Sequence, residues 1–240
     1  MKEKLLQEWY NFYYEQTFRQ AYALFDSVVL TTAFEKNQLR AILQNFTFKE
    51  FLKKGEEWLT SARFVWFVHG NLAKEQAIGL VDTARNTLNL KKVAKEDLVD
   101  VRCIAIPPGK SFLLERIQED KTNDNNCLIA YFEVGLEGTD IKTKMLHQVV
   151  MQYMDEPTFN ELRTIQQLGY VVFSRRSDYR DVMGAQFIIQ SPKESSEYIV
   201  NSLNLFLASM KDRVKALTEE EFKTQVEAVY TKVAEKDYNL

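Results

Sequence analysis

The side chains able to do acid, base, nucleophilic or metal chemistry are few here: two histidines, His69 and His147, and two cysteines, Cys103 and Cys127. A hydrolytic zinc ion needs three protein ligands and an open position, with two ligands commonly one helical turn apart. The four candidates are separated by 34, 24 and 20 residues, and neither histidine begins H-x-x-E-H or H-E-x-x-H. A metal centre is therefore not expected from this chain. A serine or cysteine nucleophile needs a histidine base within reach, and there is no G-x-S-x-G elbow to offer one. Pro107-Pro108-Gly109-Lys110-Ser111 contains Gly-Lys-Ser but lacks the upstream glycine of a phosphate cradle, so it reads as a hairpin turn.

The elements that would carry these residues divide the chain in two. Apolar residues recur at helical spacing from Leu5 to Val29, with a break near Glu15 to Thr17, and again from Lys36 to Leu43. Thr47-Phe48-Lys49-Glu50 has capping-box spacing and opens a helix to about Trp58. Phe64 to Val68 is an unbroken β-favouring run, the pattern of a strand covered on both faces. His69 ends that strand, where a hydrogen-bonded structural role is expected, and a helix follows from Lys74 to Leu88. The polar stretch Asn89 to Asp100 marks the boundary. Beyond it, three strands are expected at Val101–Ile106, Ser111–Gln118 and Cys127–Val134. Ile141, Met145, Leu146, Val149, Val150, Tyr153 and Met154 then form one helical stripe, which leaves His147 on a polar, solvated edge. Pro157 kinks or restarts this helix, which runs to Leu168. A strand pair (Tyr170–Ser174 and Gly184–Gln190), a long helix from Glu194 to Leu217 and a capped helix opening at Thr218 complete the order β-β-β-α-β-β-α-α. That order predicts an α+β fold, an antiparallel sheet with helices packed on one face. The lone strand of the first part needs partners from elsewhere, the last helix has nothing after it to cover its apolar face, and both ends read as cut.

Composition narrows the function classes. Of the 240 residues 45% are hydrophobic and 12% aromatic, enough for one large domain or two incomplete ones. With 8 Gly and 4 Pro, a sandwich or barrel of short strands is disfavoured. A net charge of −3 gives no reason to expect nucleic acid or an anionic membrane as partner. Lys53-Lys54, Lys91-Lys92 and Arg175-Arg176 are read as solvated surface. Two cysteines make no disulfide framework, so both are expected as buried free thiols. The opening Met1-Lys2-Glu3-Lys4 is not a signal peptide, and a cytoplasmic setting is the expectation.

One segment is more specific. From Pro157 the chain reads P-T-F-N-E-L-R-T-I-Q-Q-L-G-Y-V-V-F-S, and after a loop G-A-Q-F-I-I-Q-S. With His-Gly-Asn at His69, Asn-Asn-Cys at Asn125 and Thr-Glu-Glu-Glu-Phe at Thr218, it resembles the C-terminal half of the insulysin and nardilysin branch of the inverted-zincin metallopeptidases. The resemblance runs in order along essentially the whole chain.

It implies four homologous α/β-roll domains in two halves that close around a chamber, with zinc held by H-x-x-E-H in the first domain. Residues 1–95 would be the back part of the third domain and 96–240 the front part of the fourth, two partial repeats without a metal of their own. The chain's partners would be the N-terminal half of the same peptidase, which carries the zinc, and peptide substrates, with self-association through uncovered helix faces. Two residues carry over by motif: Arg163 and Tyr170, which reach substrate across the chamber. A guanidinium and a phenol are donors suited to a scissile carbonyl as charge develops on it. Gly169 would let the helix end and the strand begin at once. The alternative is a catalytically inactive scaffold subunit of the same build.

Overall fold

A computed structural model describes residues 1–99, 101–136, 138 and 140–235. Asp100, which closes the polar boundary stretch read from sequence, lies outside the described residues. The chain forms two compact units: one joins Met1–Arg40 to Val101–Glu235, and residues 41–99 form the other.

The larger unit is built on a three-stranded antiparallel sheet of β3 (Asn126–Leu136), β4 (Val171–Arg176) and β5 (Val182–Ser191), in the order β3-β5-β4. The register pairs Ile129 with Ile188 and Phe173 with Ile188, so β5 is the central strand. Its side chains are almost all buried, as a strand covered on both faces requires. α6 (Ile141–Pro157) and α7 (Ser196–Ala216) cover one face. There Met154, Leu162, Leu168, Val172, Phe187, Ile189, Ile199, Leu203, Phe206 and Met210 make one continuous core. The expected α+β arrangement is therefore present.

The opposite face takes α2 (Thr17–Val29), which follows α1 (Lys2–Asn11) after a 3-10 turn at the expected break. Phe25 lies 5.2 Å from the Tyr131 ring, and the Tyr179 hydroxyl donates to the Asp26 carboxylate at 2.8 Å. Gly184 makes room for this contact, since a Cβ there would stand 2.1 Å from the Tyr131 ring. α8 (Glu219–Ala234) packs along α6 and begins with the expected capping box: Thr218 accepts from the Glu221 amide at 3.3 Å, and Glu221 accepts from the Thr218 amide at 2.9 Å.

Two of the three strands expected before α6 are not formed. In 101–106 a single bridge joins Cys103 to Leu30, and Ile104 N–H donates to Val29 at 2.9 Å, so the segment's backbone groups pair with the end of α2 instead of a sheet. The stretch 111–118 is irregular, with Phe112 and Leu113 each 77% exposed and Arg116 paired with Glu35. β-favouring composition cannot make a strand without a neighbouring ladder and a covering layer. The turn between them is present, with Lys110 N–H donating to Pro107 at 3.0 Å and Gly109 at φ +74°.

α3 (Lys36–Asn45) leads into the smaller unit, which contains α4 (Phe48–Trp58), α5 (Lys74–Leu88) and a two-residue parallel pairing of β1 (Ser61–Ala62) with β2 (Lys91–Lys92). The Thr47 capping box opens α4 as expected. The strand expected at Phe64–Val68 is absent for the same reason as above, and Val65 and Phe67 are each 86% exposed. His69 consequently ends no buried strand: it is exposed, its ring stacked on Phe67 at 6.0 Å.

Candidate functional site

The segment that carries Arg163 owes its shape to Pro157. Asp140 caps α6 by accepting from the Lys142 and Thr143 amides at 3.0 and 3.2 Å. Seventeen residues later the helix reaches Pro157, which has no N–H to donate and whose ring crowds the preceding turn. The chain does not restart as a new α-helix; it widens into a π-helical segment, Thr158–Ile165. Gln166 N–H reaches back to Glu161 at 2.9 Å, and Leu168 N–H to Leu162 at 3.0 Å. Thr158 and Leu162 are fully buried, and the Thr158 hydroxyl donates to the Met154 carbonyl at 2.7 Å. Glu161 is ion-paired with Arg213 of α7, which ties the segment to the next helix.

With the Thr158 and Leu162 face turned inward, Phe159 and Arg163 share the outer one. The guanidinium carbon of Arg163 lies 4.5 Å from the centre of the Phe159 ring and 4.6 Å from that of Tyr170. Tyr170 is 83% exposed and sits immediately before β4, an edge strand. The two residues that the motif singled out, seven positions apart, therefore meet at one surface. Phe159 joins them unforeseen; its four-residue spacing from Arg163 on a helix was the available signal. A guanidinium that stacks on ring faces meets them through its own face and leaves its in-plane N–H donors uncommitted to the rings.

Gly169 sits at the expected junction between the helical segment and β4. Its backbone is not in the left-handed region; instead a Cβ there would stand 1.8 Å from the Gln190 carbonyl oxygen. The unusual dihedral belongs to Gln167, two residues earlier, at φ +54°. Together they let the chain press onto β5 with Leu168 fully buried behind it.

His147 is not solvated. It is 6% exposed, and neither ring nitrogen has a protein hydrogen-bond partner. The inward face of α6 is His147, Met151 and Met154; Ile141, given to the buried stripe from sequence, is 78% exposed. α6 carries apolar residues around much of its circumference, so the stripe could be drawn at more than one rotation. His147 lines an open apolar groove of about 370 Å³ with Phe132, Leu146, Val150, Phe187 and Leu207. Burial lowers its pKa, Asp178 raises it and Arg176 lowers it. Cys103 and Cys127 are free and half-buried, and burial pushes the Cys127 thiol up to about 12.

Among the described residues no three His, Cys, Asp or Glu side chains gather to hold a metal. No helix among them is long and apolar enough to cross a membrane.

Residues 149–240 match the family model for the PQQ synthase PqqF-like C-terminal lobe, domain 4. The whole chain is 27% identical to insulin-degrading enzyme of Homo sapiens over 24% of that protein's length. Against human nardilysin it is 24% identical, over 80% of this chain and 17% of that protein. The crystal structure of pitrilysin superposes on 99% of the chain with a TM-score of 0.77, at 21% identity and over 25% of the pitrilysin chain. The chain thus spans about a quarter of the length of the relatives it matches. The fold as a whole is pitrilysin-like, and residues 149–240 resemble one domain of a C-terminal lobe. By sequence the chain is homologous to insulin-degrading enzyme and nardilysin.

Proposed function

We propose that this chain is the non-catalytic C-terminal portion of a peptide-degrading zinc metalloendopeptidase, forming part of the wall that encloses the substrate. Residues 1–95 are assigned to the back of a third repeat and 96–240 to the front of a fourth. The zinc belongs to the N-terminal half of the same peptidase, since no ligand set gathers among the described residues, and no step of hydrolysis is assigned to this chain beyond substrate holding. That half and the peptide are its partners, in a cytoplasmic setting. Without that half, exposed apolar side chains such as Phe64, Trp66, Phe112 and Leu113 favour self-association.

The observation that carries the reading is the stack of Arg163 on Phe159 and Tyr170 at an exposed surface. The rings fix the guanidinium without consuming its donors, and the Tyr170 hydroxyl adds one more. Aimed at a peptide carbonyl, such preformed donors stabilise charge that develops on its oxygen. In the complete peptidase, Tyr170→Phe keeps the aromatic face and deletes the hydroxyl. Loss of one oxyanion donor typically lowers kcat by about 10²–10³-fold, and zinc content should not change. Unchanged turnover would remove Tyr170 from the mechanism, and a complete protein lacking H-x-x-E-H would favour the scaffold subunit.

A further inference from the structure

We propose that His147 is an acid-sensitive latch that holds α6, and through it the Arg163 segment, against the sheet. The imidazole is 6% exposed, at the inner face of α6 with Met151 and Met154. Both its nitrogens are buried and have no protein partner, a state tolerable only for the neutral ring. From β3, β5 and α7 the groove offers it only apolar side chains, Phe132, Val134, Ala185, Phe187 and Leu207. The charged groups acting on it are Arg176 at the end of β4 and Asp178 just beyond, which pull in opposite directions and are ion-paired to each other at 2.9 Å. α8 touches α6 further along, where Lys232 donates to Gln152 at 2.6 Å. An added proton therefore finds no hydrogen-bond acceptor, and the pull of Asp178, partly offset by Arg176, does not outweigh burial.

The mechanical consequence follows from connectivity. α6 ends at Pro157 and the π segment begins at Thr158, so no loop separates His147 from Arg163. Loosening of α6 is transmitted along one helical rod. Unfolded, the imidazole binds a proton near its ordinary pKa of about 6.5. In the fold burial lowers that value, so the packed state binds fewer protons than the open one as pH falls below it. The stabilisation is complete above the unfolded pKa and is lost as pH falls through the folded one. The importance of this for peptide binding rests on the reading of Arg163 and Tyr170 given above, but the latch itself does not.

Hydrogen exchange on the full 240-residue chain tests it, at about pH 7.5 and about pH 5, on either side of the ordinary imidazole pKa. Exchange in residues 141–165, referred to α7 at the same pH, should rise in acid, by about tenfold per unit of pKa depression. His147→Leu fits the apolar groove and should abolish that rise; the same acid opening in this variant overturns the proposal. Should His147→Leu fail to fold, Asp178→Asn serves. It removes a carboxylate that favours the protonated ring, so in a pH series the rise should still begin at the ordinary imidazole pKa but continue to lower pH and reach a larger amplitude; an unchanged amplitude overturns the proposal. No peptide or zinc enters the assay, so its failure is distinct from that of the substrate reading, which falls if Tyr170→Phe is silent.

Discussion

Gly169→Ala is the sharpest test of how the fold positions the site. The new methyl would lie 1.8 Å from the Gln190 carbonyl oxygen, 2.9 Å from its carbon and 3.2 Å from Ser191 Cα. Side-chain Cβ atoms essentially never approach other atoms closer than 3.0 Å, so chain and strand must part by at least 1.2 Å. The obstacle is backbone within a ladder and cannot rotate aside. Separation breaks in at Val171↔Gln190, the first pair of β4 with β5, and pulls on Leu168, Val172 and Ile189, all buried. Overpacking of this kind costs about 1–3 kcal/mol, and an immovable backbone contact puts this case at about 3 or above. For a chain of this size each kcal/mol moves Tm by about 2–4 °C, so a fall of about 6–12 °C is expected by circular dichroism. Gly55→Ala is the built-in control: it lies inside α4 with nothing within 4 Å of the added methyl. There the same substitution should stabilise by about 0.5–1 kcal/mol. A Gly169→Ala melt within about 2 °C of the parent, less than 1 kcal/mol on this scale, would refute the close approach.

Two further outcomes are expected. Thr47→Ala removes the side-chain acceptor of the α4 capping box, 3.3 Å from the Glu50 amide, and should destabilise by about 1 kcal/mol in urea unfolding monitored by circular dichroism; no change would mean the cap is made by water instead. Because the thiolate is the reactive species, Cys127, pushed up to about 12 by burial, should react with an aromatic disulfide reagent more slowly than Cys103, whose thiol is raised by burial and by Glu133; mass mapping of the first-labelled site checks the order, and Cys127 first would contradict it.

The elements with local instructions were readable from residue types alone. Thr47 and Thr218 form the capping boxes their spacing announced, and Pro107-Pro108-Gly109 is a turn. The strand pair on either side of the charged loop at Asp178 also stands within a few residues of its expected bounds, because each strand's partner lies close by in the sequence. Strands whose partners are not local could not be read the same way. Phe64–Val68 and Ser111–Gln118 have the composition of buried strands, yet composition states only that a residue would suit a covered ladder, and neither segment has one. His147 was misplaced for a third reason: with apolar residues around α6, periodicity alone does not fix which of them faces inward.

The candidate site lies where local rules are broken most densely. Between Pro157 and Tyr170 the chain holds a proline at a helix junction, a π-helical turn, a left-handed non-glycine residue at Gln167 and a glycine pressed onto a carbonyl. Each departs from the geometry that local propensity alone would choose, and each departure is held in place by packing: Thr158, Leu162 and Leu168 are fully buried, and Glu161 is anchored to Arg213. An ordinary α-helix followed by a relaxed loop would satisfy the same apolar residues at less cost. What it would not do is set Arg163 against both Phe159 and Tyr170 at the edge of the sheet. Strain thus converges on one partly exposed cation and two exposed rings, while the buried side chains beneath stay well packed; under the function proposed above, that cation is what the strained segment presents to substrate.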